Sequence, residues 1–370
     1  MLMIKTMLDR TYLKFQHLSI DYFVLRIIEK YLSKLSNRNG IKLREKRLLL
    51  VKDKILKWKT CGRNLLISPF FYDDCLSKYL LNTASSFASK FDIENNYDEE
   101  SYTNSIIILN GNDFSDKKKI NKIFKMRKIC KDTIFLTYLY DNHHLISHSI
   151  LISSLSDIVV IAHPDFKNLI EAYAPIVLGP FPAPIQSWNL QELTQFQELI
   201  EKTNRSVSIG GMYYRYDDFL LRNEFIELIH KNYQEFKVGF TGENQTKSYH
   251  QKTSLEKMEE WTNFKTSLIV PVSDDLPIRF FDALITGSIP IVPKKLKNKI
   301  ESLNTYEIIK SEIFWYDESN ISNFNKVICS ALKHFEDRGI DGIRLRSNWA
   351  LKFQTKEVIL SKVISSLETI

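Results

Sequence analysis

The chain has 370 residues, of which 44% are hydrophobic and 26% are charged, and its formal net charge is +7. This balance excludes a wholly disordered chain and a fibrous repeat, and the length favours more than one domain. The four cysteines, Cys61, Cys75, Cys130 and Cys329, form no C-x-x-C pair, so their spacing predicts neither a zinc site nor a disulfide framework.

The apolar runs are too short to span a bilayer. Runs such as 106–109 and 158–162 fall far below the roughly 20 residues that a transmembrane helix needs. Charged residues interrupt the first ten positions earlier than in a signal peptide. We expect a soluble cytoplasmic protein, with peripheral attachment to the inner face of a membrane left open.

Positive charge is concentrated near the N-terminus. Between Arg26 and Arg63 there are 13 Lys or Arg residues and three acids, and the chain from Asn64 onward carries a net charge of −4. Apolar residues recur at helical spacing between 13 and 35, so residues 1–62 are predicted to form a basic helical arm. Three interpretations stay open: helices packed on the first domain, contact with an anionic membrane surface, or nucleic-acid binding. Because no nucleic-acid module is recognisable, we expect no nucleic-acid partner.

Short apolar runs alternate with helical segments through residues 63–185. The predicted strands are 64–68, 105–110, 133–139, 157–162 and 175–179, and the predicted helices are 76–91, 120–130, 147–155 and 166–173. Continuous apolar strands that alternate with helices are typical of a parallel sheet covered on both faces. We therefore predict a first Rossmann-like doubly wound domain.

A proline-rich stretch at 179–184 marks the exit from this domain, and a linker helix is predicted within 186–204. The alternation then restarts in a second Rossmann-like domain at 205–345. Its predicted strands are 206–210, 236–241, 266–272, 288–292 and 313–316, and its predicted helices are 218–231, 254–264, 277–286 and 321–335. Residues 346–370, with a long helix at 349–367, are predicted to return toward the first domain.

The most informative segment runs from 267 to 293. A buried strand is followed by an acidic turn of Ser273, Asp274 and Asp275, and then by a helix that carries Arg279 and Asp282 on one face. Ligands of such sheets lie beyond the carboxyl ends of the strands, where carboxylates can bind sugar hydroxyls and an arginine can bind phosphate. The alternative is a helix cap by Ser273 or Asp274 with a surface pair of Arg279 and Asp282.

This segment resembles the C-terminal signature of glycosyltransferases with the GT-B fold, particularly the exostosin-like group. The family pattern is Arg-x-x-Glu-Ala-Leu followed by Gly-x-Ile-Pro-Val, and this chain has Arg279-Phe-Phe-Asp282-Ala-Leu followed by Gly287-Ser-Ile-Pro290-Ile. Asp282 replaces the usual Glu. The resemblance implies an α/β fold of two tandem Rossmann-like domains and a nucleotide-sugar donor bound by the second one.

The resemblance also implies a set of donor-binding residues. Gly210-Gly211 looks like the glycine turn of the family, with a plain tight turn as the alternative, and Arg215 and Arg222 look like its arginines near the donor diphosphate. The predicted donor-binding residues are Ser273, Asp274, Asp275, Arg279, Asp282, Gly211, Arg215 and Arg222.

The first domain would then bind the acceptor and supply a general base. Carboxylate or imidazole groups at its strand ends are suited to that role, and the candidates are Asp74, Asp113, Asp141 and His143. His163 is a further residue at a strand end, with a structural role as its alternative. Residues 141–144 also offer a possible metal cluster, but the chain has no Asp-x-Asp, so we expect metal-independent transfer without a cofactor.

The resemblance predicts transfer of a sugar from a nucleotide-sugar to a saccharide or lipid-linked acceptor, in bacterial surface polysaccharide biosynthesis such as that of lipopolysaccharide. Two alternatives stay open. One is a sugar-nucleotide epimerase on the same fold, and the other is a non-catalytic protein that binds a nucleotide-sugar or a saccharide.

Overall fold

The computed structural model describes residues 38–61, 64–73, 88–91, 102–114, 117–140, 146–216, 219–241, 251–272, 275–318 and 323–370. The chain divides into two compact units. Unit 1 ends at Pro182 and takes in Leu360–Ile370, and unit 2 is Ala183–Ile359. No helix in the described ranges has the length and apolar character to cross a bilayer.

Unit 1 is built on a parallel sheet with the strand order β2-β1-β3-β4-β5-β6. Its strands are β1 (Asn64–Ile67), β2 (Ala88–Lys90), β3 (Ser105–Asn110), β4 (Ile134–Leu139), β5 (Ile158–Ile161) and β6 (Ile176–Leu178). Every residue of β3, β4 and β5 is buried, as expected for strands covered on both faces. Since the order reverses between β1 and β3, right-handed crossovers place helices on both faces of the sheet.

The helices of unit 1 follow the same alternation. They are α1 (Arg38–Thr60), α2 (Pro69–Tyr72), α3 (Lys117–Ile129), α4 (Ile146–Leu155) and α5 (Lys167–Glu171). One predicted element is wrong: residues 88–90 are the edge strand β2, where the sequence predicted the end of a helix at 76–91. Only Phe91 after this strand is buried, so the short polar strand carries no apolar run that would have identified it.

The described part of the predicted arm is the helix α1, and it packs on unit 1. Val51, Ile55 and Trp58 are buried along one side of this helix. Arg47 donates to the backbone carbonyls of Ser154, Ser156 and Tyr173, and the Lys54 ammonium lies 3.6 Å from the Asp157 carboxylate. These contacts agree with the packed-helix interpretation for residues 44–60, while residues 1–37 lie outside the described residues.

Unit 2 is built on a second parallel sheet, with the order β11-β10-β9-β7-β8. Its strands are β7 (Val207–Tyr213), β8 (Lys237–Phe240), β9 (Phe264–Leu268), β10 (Ile289–Pro293) and β11 (Phe314–Tyr316). If β7 is counted as the first strand of unit 2, the order read from β8 to β11 is 2-1-3-4-5. Unit 1 has the order 2-1-3-4-5-6, which is the same arrangement with one more strand. The prediction of two tandem Rossmann-like doubly wound units is therefore confirmed.

Unit 2 contains nine α-helices among its described residues, the first of which begins at Leu190. They are α6 (Leu190–Gln195), α7 (Gln197–Lys202), α8 (Leu220–Asn232), α9 (Ser254–Thr262), α10 (Ile278–Ile285), α11 (Lys297–Glu301), α12 (Tyr306–Ile309), α13 (Phe324–Phe353) and α14 (Lys356–Glu368), the last of which continues into unit 1. The predicted linker helix is two short helices, α6 and α7, whose Leu193 and Ile200 lie in the core of unit 2.

Two further predictions in unit 2 are corrected. Gly210-Gly211 lies inside β7 rather than in a turn at its end. The predicted helix at 349–367 is interrupted, because α13 ends at Phe353 and the Thr355 hydroxyl accepts the backbone N–H of Val358 at the start of α14. Within α13, Gly339 has φ of 49° and ψ of −137°, which divides the helix into two parts.

A buried ionic network fastens α13 to the sheet of unit 2. The Arg346 guanidinium is fully buried, contacts the Glu312 carboxylate, and donates to the carbonyl of Gly287 at 2.9 Å. Arg205 donates to the carbonyls of Phe264 and Thr286 at 2.8 and 2.7 Å. These residues lie where β9 and β10 begin. The network therefore supports the edge of the sheet that is opposite the carboxyl ends of the strands.

Candidate functional site

The site is built where the strand order of unit 2 reverses. Strands β7 and β9 are neighbours in the sheet, and the chain leaves their carboxyl ends toward opposite faces. Helix α8 follows β7 and helix α10 follows β9, so both helix N-termini lie at this edge. In doubly wound sheets this point forms a crevice that binds ligands.

The buried side chain of Tyr213, the last residue of β7, lies at the centre of this edge. Its hydroxyl donates to the carbonyl of Leu268, the last residue of β9. At the end of β11, the Tyr316 hydroxyl donates to the next carbonyl, that of Ile269, at 3.0 Å. Burial raises the pKa of Tyr213 to about 12, so its hydroxyl keeps its proton and this hydrogen bond at neutral pH. The two tyrosines thus tie three strand ends together.

Two arginines lie against the ring of Tyr213. The guanidinium carbon of Arg222, in the first turn of α8, is 5.2 Å from the ring centroid, and that of Arg279, in the first turn of α10, is 5.3 Å from it. Arg222 is also 5.3 Å from the ring of Tyr216 and donates to the carbonyl of Tyr214 at 2.9 Å. Both guanidinium groups are therefore held in place by aromatic rings or backbone.

The positive charge of Arg222 is poorly compensated by the described residues. Arg222 is only 9% exposed, its Nε has no hydrogen-bond partner among the described residues, and none of their carboxylates forms an ion pair with it. Burial, together with the charge of Arg279, lowers the pKa of Arg222 to about 10, against contributions from three tyrosines that raise it. Both arginines lie at the positive end of a helix dipole, where a cation is unfavourable and an anion is favourable. The arrangement is complementary to a bound anion such as a phosphate group.

Two buried carboxyl groups lie near Arg279 in the chain. Asp275 is three residues before the first residue of α10, and Asp282 is one turn after Arg279 with 3% of its surface exposed. Burial raises the pKa of Asp282 to about 7, against the opposing effects of Arg279 and of the Ser187 hydroxyl, which donates to its Oδ2 at 3.3 Å. Asp282 Oδ1 is buried without a hydrogen-bond partner in the part of the chain that the structure describes. Near neutral pH this carboxyl group can therefore both donate and accept.

The other predicted donor-binding residues lie elsewhere or outside the described ranges. Arg215 forms an ion pair with Glu227 at 2.7 Å, and its guanidinium carbon lies 4.1 Å from the ring centroid of Phe240. Gly211 serves packing, because a Cβ added there would meet the Tyr213 hydroxyl oxygen at 2.7 Å. Gly211 was predicted to lie in a turn that contacts the diphosphate, but it lies inside strand β7. Ser273 and Asp274 lie outside the described residues.

One predicted general base of unit 1 is described. Asp113 follows β3, at the point where β1 and β3 meet and the strand order reverses. It accepts the backbone N–H of Asn110 at 2.8 Å, and burial raises its pKa despite that hydrogen bond. His163, by contrast, is buried, with its Nε2 placed 3.1 Å from the carbonyl of Tyr140, which is a structural contact.

The remaining candidates for a base or a metal ligand cannot be placed in the same way. Asp74, Asp141 and His143 lie outside the described residues, as does His144, which completes the predicted metal cluster. Within the described ranges, no group of three or more His, Cys, Asp or Glu side chains is arranged to hold a metal ion.

Comparison with known proteins gives matches among solved structures only. No protein-family model matches the chain, and no curated protein matches it significantly. The structure of TarM covers 72% of this chain and 55% of its own at 14% identity, with a TM-score of 0.43. The trehalose-6-phosphate synthase OtsA covers 72% of each chain at 10% identity, with a TM-score of 0.44.

The pneumococcal O-GlcNAc transferase GtfA, in complex with UDP and GlcNAc, covers 72% of this chain and 57% of its own at 11% identity, with a TM-score of 0.39. The chain thus spans less than two thirds of the length of TarM and of GtfA. At such identities and TM-scores, these likenesses assign no donor, no acceptor and no residue role to this chain.

The sequence alone missed the aromatic part of the site. Tyr213 was not among the predicted site residues, and Ser187 falls within the stretch predicted as a linker helix. The sequence did contain a signal for the location of the site, since Arg222 and Arg279 each lie near the start of a helix that follows a strand. Only the strand order shows that these two helix starts are neighbours.

Proposed function

We propose that the chain is a glycosyltransferase that moves a sugar from a nucleotide-sugar to a saccharide or lipid-linked acceptor. The observation that carries this proposal is the pair of guanidinium groups of Arg222 and Arg279 against Tyr213, at the ligand-binding edge of unit 2. A diphosphate is an anion complementary to two neighbouring guanidinium groups, and the sequence signature around Arg279 and Asp282 supports a sugar donor as its carrier.

In this proposal the arginines stabilise the leaving group. The bond between the anomeric carbon and the diphosphate oxygen breaks, and the electron pair leaves with the nucleoside diphosphate. Arg222 and Arg279 would neutralise the charge that develops there, which is the role of preorganised electrostatics in catalysis. Because these two cations are supplied by the protein, we propose that transfer needs no metal ion and no cofactor. Asp275 and Asp282 would bind hydroxyl groups of the donor.

The acceptor half of the reaction is assigned to unit 1. The acceptor hydroxyl oxygen forms the new bond to the anomeric carbon and gives its proton to a base. Asp113 is the described residue best suited to this role, because burial raises its pKa and a carboxylate of raised pKa is a stronger base. Asp74, Asp141 and His143 remain proposed alternatives. A bacterial surface polysaccharide, such as lipopolysaccharide, is the proposed destination of the sugar.

Thermal unfolding with a panel of nucleotide-sugars tests the proposal. UDP-, GDP-, dTDP- and CMP-sugars are compared with the free nucleotides, because a ligand that binds the folded state raises its stability by mass action. We expect stabilisation by one nucleotide class, followed by release of the free nucleotide when a matching acceptor is added. Binding without release would favour the non-catalytic alternative, conversion of the donor to its epimer would favour an epimerase, and no stabilisation by any nucleotide would contradict the proposal.

A further inference from the structure

We propose that unit 1 docks on an anionic lipid surface through the outward sides of α1 and α3. We call this surface the α1–α3 face, and its apolar members are Leu49, Leu56, Phe124 and Ile129. The inference concerns a partner rather than the reaction. None of these side chains belongs to the candidate site, so it does not depend on the proposed function.

The outward side of α1 is both apolar and basic. Leu49 and Leu56, seven residues apart and therefore on one side of the helix, are 69% and 62% exposed, although Val51, Ile55 and Trp58 on the opposite side are buried. The exposed lysines 46, 52 and 57 flank the two leucines, together with the exposed acids Glu45 and Asp53, and the Asp53 carboxylate lies 3.2 Å from the Lys57 ammonium. Large aliphatic side chains exposed between lysines are typical of helices that lie in a membrane interface.

Helix α3 extends the same character. Seven of its 13 residues are Lys or Arg and none is acidic. Its outward side carries Phe124 and Ile129, which are 37% and 42% exposed, between the exposed lysines 118, 125 and 128. The Lys128 ammonium lies 4.7 Å from the ring centroid of Phe124. A helix was predicted at 120–130, but its basic character was not, because the excess of positive charge was located in residues 26–63 alone.

The two helices are neighbours in unit 1. Lys54 of α1 and Arg127 of α3 both form ion pairs with the buried Asp157 carboxylate, at 3.6 and 3.0 Å. Lys57 of α1 lies 3.4 Å from Asp132, three residues beyond α3. These shared carboxylates hold the basic surfaces of the two helices side by side.

The exposed apolar side chains favour a lipid surface over a nucleic acid. Both partners would attract the lysines through phosphate groups. A nucleic-acid backbone, however, leaves Leu49, Leu56 and Ile129 exposed to water, whereas an interface between headgroups and acyl chains buries them. Anionic headgroups supply the complementary charge, and their acyl chains accept the apolar side chains.

Cosedimentation of the full chain with lipid vesicles tests the proposal. The vesicles are phosphatidylcholine alone or phosphatidylcholine mixed with phosphatidylglycerol. We expect binding to the mixed vesicles that weakens with salt, and little binding to the neutral ones. The triple variant K118E, K125E and K128E should bind the mixed vesicles at least about tenfold more weakly, since each Lys near an anionic surface contributes appreciably. The variant L49S and L56S should reduce the binding that remains at high salt.

The variant K326E and K333E is the matched control. It reverses two exposed lysines of α13 in unit 2, and it should bind vesicles like the wild type. Thermal unfolding of each variant shows whether it is folded. Equal binding to neutral and mixed vesicles, or full binding by the folded α3 triple variant, overturns the proposal. Tighter binding to a mixed-sequence oligonucleotide than to the mixed vesicles also overturns it, in favour of a nucleic-acid surface.

Discussion

Among single residues, Arg222 and Arg279 matter most to the candidate site, because they supply its positive charge. The guanidinium carbons of Arg222 and Arg279 lie within 5.3 Å of the centroid of the same aromatic ring, and each residue is in the first turn of a helix. Two guanidinium groups held beside one ring at two helix N-termini attract an anion. Arg215 differs, because its guanidinium lies against another ring, that of Phe240, and forms an ion pair with Glu227.

Substitution of either arginine by glutamine should therefore weaken diphosphate binding selectively. We expect R222Q and R279Q each to bind a nucleoside diphosphate about 10–100 times more weakly, which corresponds to the 1.5–3 kcal/mol of a charge-assisted hydrogen bond. Isothermal titration measures this effect, with R215Q as the matched control that keeps the wild-type affinity. An equal loss in all three variants would show that general electrostatic attraction, rather than the Tyr213 site, binds the ligand.

Asp282 should make stability depend on pH. Burial raises its pKa from the ordinary 3.8 to about 7, so between these values the folded state holds one more proton than the unfolded state. The free energy of unfolding should therefore fall as pH rises from about 4 to about 7, by about 4 kcal/mol at 1.36 kcal/mol per pKa unit.

Urea unfolding at several pH values measures this dependence. The variant D282N has no titrating group at this position. The free energy of unfolding of D282N, relative to that of the wild type, should therefore increase by about 4 kcal/mol between pH 4 and pH 8. A difference between wild type and D282N that stays constant over this range would show that Asp282 is ionised in the folded state throughout.

At the scale of secondary-structure elements, the glycines of β7 are explained by packing. A Cβ added at Gly210 would meet the ring of Phe264 on β9 at 2.2 Å, so this glycine allows the close approach of two neighbouring strands. Gly239, on the adjacent strand β8, has space, since its nearest atom would be the Nδ1 of His230 at 3.7 Å.

The substitution G210A should accordingly destabilise unit 2, by roughly 1–3 kcal/mol, as expected for overpacking in a core. G239A is the matched control, and its effect should be small. Urea unfolding of both variants measures the difference. If G210A were as stable as G239A, Gly210 would not be required for the packing of β7 on β9.

The attachment of α13 depends on a buried ion pair. Removal of the Glu312 charge in E312Q leaves the fully buried Arg346 without its carboxylate, and we expect a loss of roughly 3–5 kcal/mol in the free energy of unfolding. The exposed pair of Arg344 and Glu201 is the comparison, because E201Q should lower the free energy of unfolding far less. Similar losses in the two variants, measured by urea unfolding, would mean that burial does not determine the strength of the α13 attachment.

The elements differ in how far the sequence determines them. Strands β3 and β4 were predicted because continuous apolar runs are required where both faces of a sheet are covered. Strand β2 was missed, since it is a short edge strand with polar residues. Gly210-Gly211 was interpreted as a turn, because local sequence cannot show that Phe264 and Tyr213 need the space of a side chain.

The same limit applies to the site. Arg279 and Asp282 were identified from sequence on the helix after the acidic turn and through a family signature, and Arg222 was identified through its resemblance to the family's arginine near the donor diphosphate. The convergence of the two arginines on Tyr213 was not identified, because it depends on β7 and β9 being neighbours despite 50 intervening residues. Long-range strand pairing is the part of the architecture that a single sequence does not specify locally.

At the scale of the whole molecule, the two units carry different properties. Unit 2 holds the arginine pair and its carboxyl groups, whereas unit 1 holds Asp113 and the α1–α3 face. The proposed donor and the proposed lipid surface therefore concern separate parts of the chain. Failure of vesicle binding would leave the glycosyltransferase proposal intact, and failure of nucleotide binding would leave the docking proposal intact.

Binding of a nucleotide-sugar diphosphate at Arg222 and Arg279 can be measured by isothermal titration. The full chain is titrated with a nucleoside, its monophosphate and its diphosphate, for the base that stabilises the protein most. We expect the affinity to rise with each phosphate added, and R222Q to abolish most of the gain from the second phosphate. Equal affinity for the nucleoside and the diphosphate, or an undiminished gain in R222Q, would contradict binding of the diphosphate at this site.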